Sequence, residues 1–291
     1  MNTTPQTQTA LARSVTAEEE PSLDLYPGRG LAKLHLAWKD ITEGARLYRL
    51  SYALGWLDIR LRYRGSMLGP FWLTLTTAIT VAAMGTLYGT LFHTNLRVYL
   101  PFLSFSLILW AWLNMVVSDG CSVFSNAHGM IHSMRMPLSV HVSRICVRAL
   151  LTFLHSVPVI AVLFLIFGIT PRLTWEIPAS LIVFITDTFA IGLLCGVLGA
   201  RFRDVSPVMA SIMQILFFIT PILWRPELIY LGRQYMLLDP AYPLIEIVRA
   251  PIMNDHIRPS IWLAALFYSA MLWGLAVILF ARVRARISYW V

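Results

Sequence analysis

The stretch "SLIVFITDTFAIGLLCGVLGARFRDVSPVMASIMQILFFITPILW", residues 180–224, joins two long apolar runs through the short gap "ARFRDVSP" (200–207), which carries two arginines and an aspartate. An apolar run of roughly 20 residues matches the hydrocarbon core of a bilayer. The gap therefore reads as a tight turn at a membrane surface. Arg201 and Arg203 would anchor the preceding helix at the headgroups. Ser206 and Pro207 read as the N-cap and first residue of the next helix, and Asp204 sits where the helix dipole favours negative charge. Capping alone does not account for so much charge in so short a turn, which also suits a surface touched by another cytoplasmic molecule.

The whole chain agrees with a membrane reading. Its 291 residues are 57% hydrophobic and 13% charged, with a mean hydropathy of +0.67. Soluble domains carry about 25% charged residues, so a water-facing surface could not be covered here. Six spans follow, at about 70–92, 99–118, 147–168, 178–199, 207–224 and 260–281. Of the 23 lysines and arginines, only Arg97, Arg172, Arg225, Arg233, Arg249 and Arg258 fall on one side of this arrangement. The positive-inside bias, strongest in "RLRYRG" and "RVRAR", places both termini in the cytoplasm.

Residues 1–30 form a polar cytoplasmic tail read as flexible, without the apolar core of a signal peptide. From 31 to 62, apolar residues at helical spacing alternate with Lys33, Lys39, Asp40, Glu43 and Arg46. Trp38 and the flanking Arg60, Arg62 and Arg64 make this an amphipathic segment lying in the membrane interface. A soluble helix packed on a partner is the alternative. The longest internal cytoplasmic loop contains His128, His132 and His141. No carboxylate or cysteine ligands accompany them at zinc-like spacing, so the Met-rich "NAHGMIHSMRMPLSVHV" reads instead as a docking element. On the outer side, residues 225–256 hold apolar pieces broken by Pro226, Pro240, Pro243 and Pro251. Pieces too short to span read as re-entrant helices, which require burial in protein or a watery cavity.

The chain has no GxxxxGK[ST], HExxH or GxSxG motif, and Cys121, Cys146 and Cys195 lie singly along the sequence. No catalytic residue and no metal site is expected. Asp187 is the one carboxylate well inside a span and could be satisfied by Thr186 or Thr188 nearby. Aromatic residues could form a stacking track for sugar rings. The candidates are Trp72, Tyr88, Trp110, Trp112, Phe217 and Trp224, with Tyr230 and Tyr235 from the outer loop; belt or core packing is the alternative for each.

"DIRLRYRGSMLGPFWLTLTTAI", "FRDVSPVMASIMQILFFITPILW" and "LLDPAYPLIEIVRAPIM" together resemble the ABC-2 type permeases that export bacterial polysaccharides, over roughly residues 35–285. The resemblance implies an all-α polytopic membrane protein with six transmembrane helices. To these it adds an N-terminal interface helix (31–62), a cytoplasmic coupling helix (122–137) and re-entrant outer-loop helices (226–238 and 242–253). It implies a homodimer in the bacterial inner membrane with two copies of a cytosolic ABC ATPase, exporting a lipid-linked, O-antigen-like or capsular polysaccharide. ATP and Mg2+ would bind the ATPase and no cofactor this chain; membrane lipids surround it, and no nucleic acid is a partner. Coupling would fall to Asn126, His128, Met130, Ile131, Met134 and Arg135, with Arg201, Arg203 and Asp204 as a secondary contact. A drug or small-lipid exporter, a membrane-embedded transferase and an ion-coupled carrier are the alternatives; the last two would need more buried polar chemistry than Asp187 supplies.

Overall fold

The computed structural model describes residues 31–172, 174–226 and 235–291. The N-terminal tail, Tyr230, Arg233 and most of the first outer-loop piece lie outside the described residues. In chain order the helices are α1 (Leu31–Arg46), α2 (Tyr48–Arg62), α3 (Phe71–Leu91), α4 (Leu96–Cys121), α5 (Val123–Asn126) and α6 (His128–Ser133). Then come α7 (Ser139–Phe167), α8 (Glu176–Arg201), α9 (Val205–Ile219), α10 (Ala241–Ile252) and α11 (Pro259–Trp290).

Five of these, α3, α4, α7, α8 and α11, are long and apolar enough to cross a bilayer. The protein is thus a multi-pass membrane protein, helical because a chain in lipid must satisfy its backbone polar groups within itself. The span expected over 207–224 is shorter. Helix α9 stops at Ile219, where Thr220 turns extended (φ −66°, ψ 136°) because the following Pro221 disfavours helical geometry before it. At ~1.5 Å per residue its length is about 22 Å, less than the ~30 Å hydrocarbon core. Its start also differs from expectation. Asp204 occupies the N-cap without a side-chain cap bond, and Pro207 falls in the first turn, where no helical N–H is required.

Two other expected helices are broken. The amphipathic segment divides at Leu47 (φ −85°, ψ 26°) into α1 and α2. Its buried stripe is made mostly of small and polar residues, Ala37, Asp40 and Gly44, then Ser51 and Gly55, and ends on Ile59. Its larger Leu34, Trp38, Tyr52, Trp56 and Leu57 are exposed. The coupling segment is two short pieces, α5 and α6, divided at Ala127; beyond Ser133, Met134 is extended (ψ 130°).

Helix α4 lies at the centre, mostly buried, whereas α3 and α11 keep most of their surface on the outside. Close approach of α4 and α8 depends on glycine. A Cβ on Gly120 would lie 3.3 Å from the Gly192 Cα, and one on Gly199 would fall 1.8 Å from the Cys121 carbonyl oxygen. Small residues let membrane helices pack backbone to backbone. Replacing Gly199 with Ala must displace main chain, so about 1–3 kcal/mol of destabilisation is expected. Gly274→Ala on α11, where a Cβ meets open space, is the control and should keep or raise the midpoint. Thermal unfolding in detergent compares the two.

Candidate functional site

Both ends of the segment between α4 and α7 are clamped by buried charge. At its far end Asp40 of α1, 1% exposed, accepts hydrogen bonds from the Ser139 N–H (3.0 Å) and the Leu138 N–H (3.3 Å). These donors at the start of α7 have no partner within the helix, so a carboxylate from another helix caps them, with the dipole in its favour. Arg284 of α11 donates from Nε to the same carboxylate at 2.8 Å, and the Ser139 hydroxyl donates to the Asp40 carbonyl at 2.7 Å. One carboxylate thereby joins α1, α7 and α11.

At the near end, Asp58 of α2 receives a two-pronged bond from Arg144 of α7, through Nε (2.7 Å) and NH2. Arg148, one turn on, reaches Asp58 at 3.4 Å and pairs with Asp119 in the last turn of α4. Between the clamps, Val123 and Phe124 are buried, and Ile131 and Leu138 pack on the core at this end. Asn126, His128, Met134 and Arg135 are exposed, with Met130 half-buried. Residues 131–136 form one wall of a cleft of about 240 Å3, whose other wall is Arg284 and Ser288 of α11, with Asp40 between. His128 and His132 stand 4.4 Å apart between ring centroids, and no cluster of three or more metal-ligating side chains occurs among the described residues. His141, expected in the loop, is buried in the first turn of α7.

The turn 201–204 is exposed but not isolated. The Arg201 guanidinium lies over the Trp290 ring (5.2 Å) and the Phe202 ring (5.5 Å), tying the end of α8 to the end of α11. Arg203 and Asp204 project outward, as do Arg60, Arg62 and Arg64 after the stripe of α2.

A second feature lies within the spans. Beyond its exposed first turn, helix α4 is mostly buried but exposes Ala111, Asn114 and Ser118 at helical spacing. Opposite them α9 presents Gln214, Phe217 and Phe218, which with Trp110, Asn114 and Ser118 line a hollow of about 360 Å3. Trp110 and Phe217 stand 5.9 Å apart, Phe217 and Phe218 5.4 Å. Of the described aromatic residues expected to form a track, Trp110 and Phe217 meet there. Trp112 is a core residue between Phe153 and Phe184. Tyr88 stacks on Phe92 near the far end of α3, and Trp72 is exposed near its start. Trp224 donates to the Phe218 carbonyl, and exposed Tyr235 opens a single 3-10 turn, Tyr235–Leu238.

The outer loop is pinned by Arg249 of α10, which is 2% exposed. It donates to the Ser106 hydroxyl (2.6 Å) and the Pro221 carbonyl (2.9 Å), pairs with Glu246, and lies 4.1 Å over the Phe102 ring. Such a satisfied buried arginine holds α10 against α4 and against the break after α9. Asp187 is bonded across helices, through one oxygen, rather than by its neighbours. Ser269 of α11 donates to its Oδ2, while the Thr186 and Thr188 hydroxyls bond their own helix backbone.

The sequence model of a known family, ABC-2 type transporter, matches residues 49–253. The chain is 27% identical over 209 residues to the O-antigen export system permease protein RfbA of Myxococcus xanthus, covering 70% of this chain and 79% of that one. Against a Klebsiella pneumoniae protein of the same description it is 28% identical over 198 residues, covering 62% and 74% respectively.

The Asp40 clamp makes a quantitative expectation. Asp40→Ala leaves Arg284 half-buried without its carboxylate and two N–H groups uncapped, so a loss of about 3–5 kcal/mol is expected. Adding Arg284→Met should recover part of it, because no orphaned charge remains. Thermal midpoints of the two single variants and the double variant measure the coupling.

Proposed function

The chain belongs to the ABC-2 type transporter family, and on that premise we propose that it is the permease subunit of an ATP-driven exporter. Its cargo would be a lipid-linked, O-antigen-like or capsular polysaccharide crossing a bacterial inner membrane. The relatives' description supports the cargo. The carrying observation is the hollow of Trp110, Asn114, Ser118, Gln214, Phe217 and Phe218 on an open face of α4 and α9. Polar side chains inside a membrane belong against protein or water, not lipid. A second copy of the chain facing this hollow would close it into a polar, aromatic-edged path. Hydroxyl groups of a glycan could bond to the amides while its CH faces lie on the rings.

Energy must then come from elsewhere, since the sequence has no phosphate-cradling loop. Two copies of a cytosolic ABC ATPase would bind ATP and Mg2+ and seat the 122–138 segment, with both termini of the permease cytoplasmic. The clamps support this reading mechanically. Force on α5 and α6 would pass through Asp119–Arg148–Asp58 to α2 and α4, and through Asp40 to α1, α7 and α11. The exposed Trp38, Trp56 and Tyr52 suit helices lying in the membrane interface. Arg201, held by Trp290, would keep the α8–α9 turn in register with α11.

Co-expression with a neighbouring ATPase subunit, purification and assay of ATP turnover tests the assembly. A stoichiometric partner with vanadate-sensitive turnover is expected; a clean permease without one overturns the reading. Met134→Ala with Arg135→Ala should lower ATPase co-purification by about tenfold, equivalent to ~1.4 kcal/mol at the contact. Asn114→Leu with Gln214→Leu should leave co-purification intact and sharply reduce surface glycan. Unchanged glycan export would remove the hollow from the path.

A further inference from the structure

Beyond the apolar run 260–281, helix α11 continues to Trp290. At ~1.5 Å per residue, Tyr289 stands ~12 Å past Ala281, whereas the headgroup region of one leaflet is only ~5–8 Å deep. The last turns of α11 therefore project from the bilayer, at the end of the molecule that carries the segment between α4 and α7. Tyr289 is 90% exposed there.

Two elements flank this projection. Residues 131–136 face Arg284 and Ser288 across the cleft of about 240 Å3. On another side the Arg201 guanidinium lies 5.2 Å over the Trp290 ring. Ser288 and Trp290 point about 200° apart around the helix. Arg282, Arg286 and Tyr289, at spacings of four and three, fall on the exposed arc between them. The segment 131–136, the turn 201–204 and the end of α11 thus form one surface, with α11 in the middle. Its charges agree in sign. Among the described residues, these three elements expose Arg135, Arg201, Arg203, Arg282 and Arg286 but one carboxylate, Asp204.

We propose that the projecting end of α11 is a further contact for the ATPase, which meets it with an acidic surface and seats one large side chain in the adjoining cleft. The inference rests on the exporter reading above and extends the contact beyond 122–138 and 201–204. Charge sets the sign of the partner, because a field of arginines steers carboxylates toward it and repels cations. Size sets the anchor. At ~30 Å3 per water-sized group, 240 Å3 holds roughly eight non-hydrogen atoms, one aromatic or long aliphatic side chain. Ile131, Met134, Met136 and Leu138 give the cleft an apolar wall, and methionine adapts to the shape that enters. Depth separates a protein from a lipid. Headgroups reach Arg282, next to the apolar run, but not Tyr289. Arg284, at the cleft, is bonded to Asp40 of α1, so a pull on this end of α11 passes to α1 and α7.

The test uses the full chain in nanodiscs, alone and in complex with its co-expressed ATPase, exposed to hydroxyl radicals. Mass spectrometry then reads the oxidation of Tyr289 and Met134. Both are expected to be oxidised in the permease alone and to lose most of that labelling in the complex. Met134 protected with Tyr289 unchanged overturns the inference and leaves the docking reading standing; the absence of any complex removes both. Tyr289 already protected by anionic-lipid nanodiscs relative to detergent, and unaffected by the ATPase, gives the arc to headgroups and also overturns the inference. Arg282→Gln with Arg286→Gln should lower ATPase co-purification about tenfold at ~0.1 M salt and less at ~0.5 M, where exposed charges are screened. Ser288→Phe, which places a ring in the cleft, should lower it at both. Undiminished co-purification in both variants counts against the contact. The footprint needs no variant, so it decides even if neither substituted protein folds.

Discussion

A carboxylate at Asp40 with almost no access to solvent is the constraint around which the arginine-rich end of the molecule is arranged. It caps the N-terminus of α7 from another helix and receives Arg284 from α11, 244 residues away in sequence. A buried charge is tolerable only when its partners are all present. The position of α1 therefore requires that of α7 and α11, and the short segment before Ser139 is held at a fixed point. The Asp58–Arg144–Arg148–Asp119 chain does the same at the other end of that segment. A loop of mostly exposed side chains is thus attached at both ends to rigid helices, the arrangement needed if displacement of the loop is to move the bundle.

Packing within the membrane follows a different rule. Lipid tails are as apolar as leucine, so burial of large side chains gives helices little reason to associate there. The α4–α8 contact is accordingly made through Gly120, Gly192 and Gly199, while Gly196 lies against Val123 and Phe124 of α5. The stripe of α2 on α7 is Ser51, Gly55 and Ile59. Helix α9 is the exception. It buries only Met213, borders the polar hollow, and is anchored mainly through the turn at Arg201 and the Arg249 cluster at Pro221. Of the membrane helices it has the least packing to overcome in a movement.

The legible parts of the sequence were those governed by length and local composition. Apolar runs long enough for a bilayer located five spans, because no other solvent accommodates them. The Met-rich segment stood out by composition, whereas the span expected over 207–224 ran through Pro221, before which α9 in fact ends. The amphipathic reading of 31–62 identified a real helical pair but assigned Asp40 to its polar, outward face. Local periodicity could not show that the small residues Ala37, Gly44 and Gly55 face inward, because size selects the contact face between closely packed helices whereas polarity selects it in water. Trp112 looked like a track residue and proved to be core, since an aromatic side chain in a membrane has the same composition signal in either place.

The sequence by itself determined that this chain lies in a membrane, roughly where it crosses, and to which family of transporters its motifs are similar. Those properties are sums over neighbouring residues. Only the tertiary structure decided that Asp40 meets Arg284, that Asp119 and Asp58 share Arg148, that Asn114 faces Gln214 across a hollow, and that Asp187 meets Ser269. Each of these is a pairing between helices far apart in the chain. An acid surrounded by hydrophobic sequence signals that a partner must exist, but which partner it finds is set by how the helices cross.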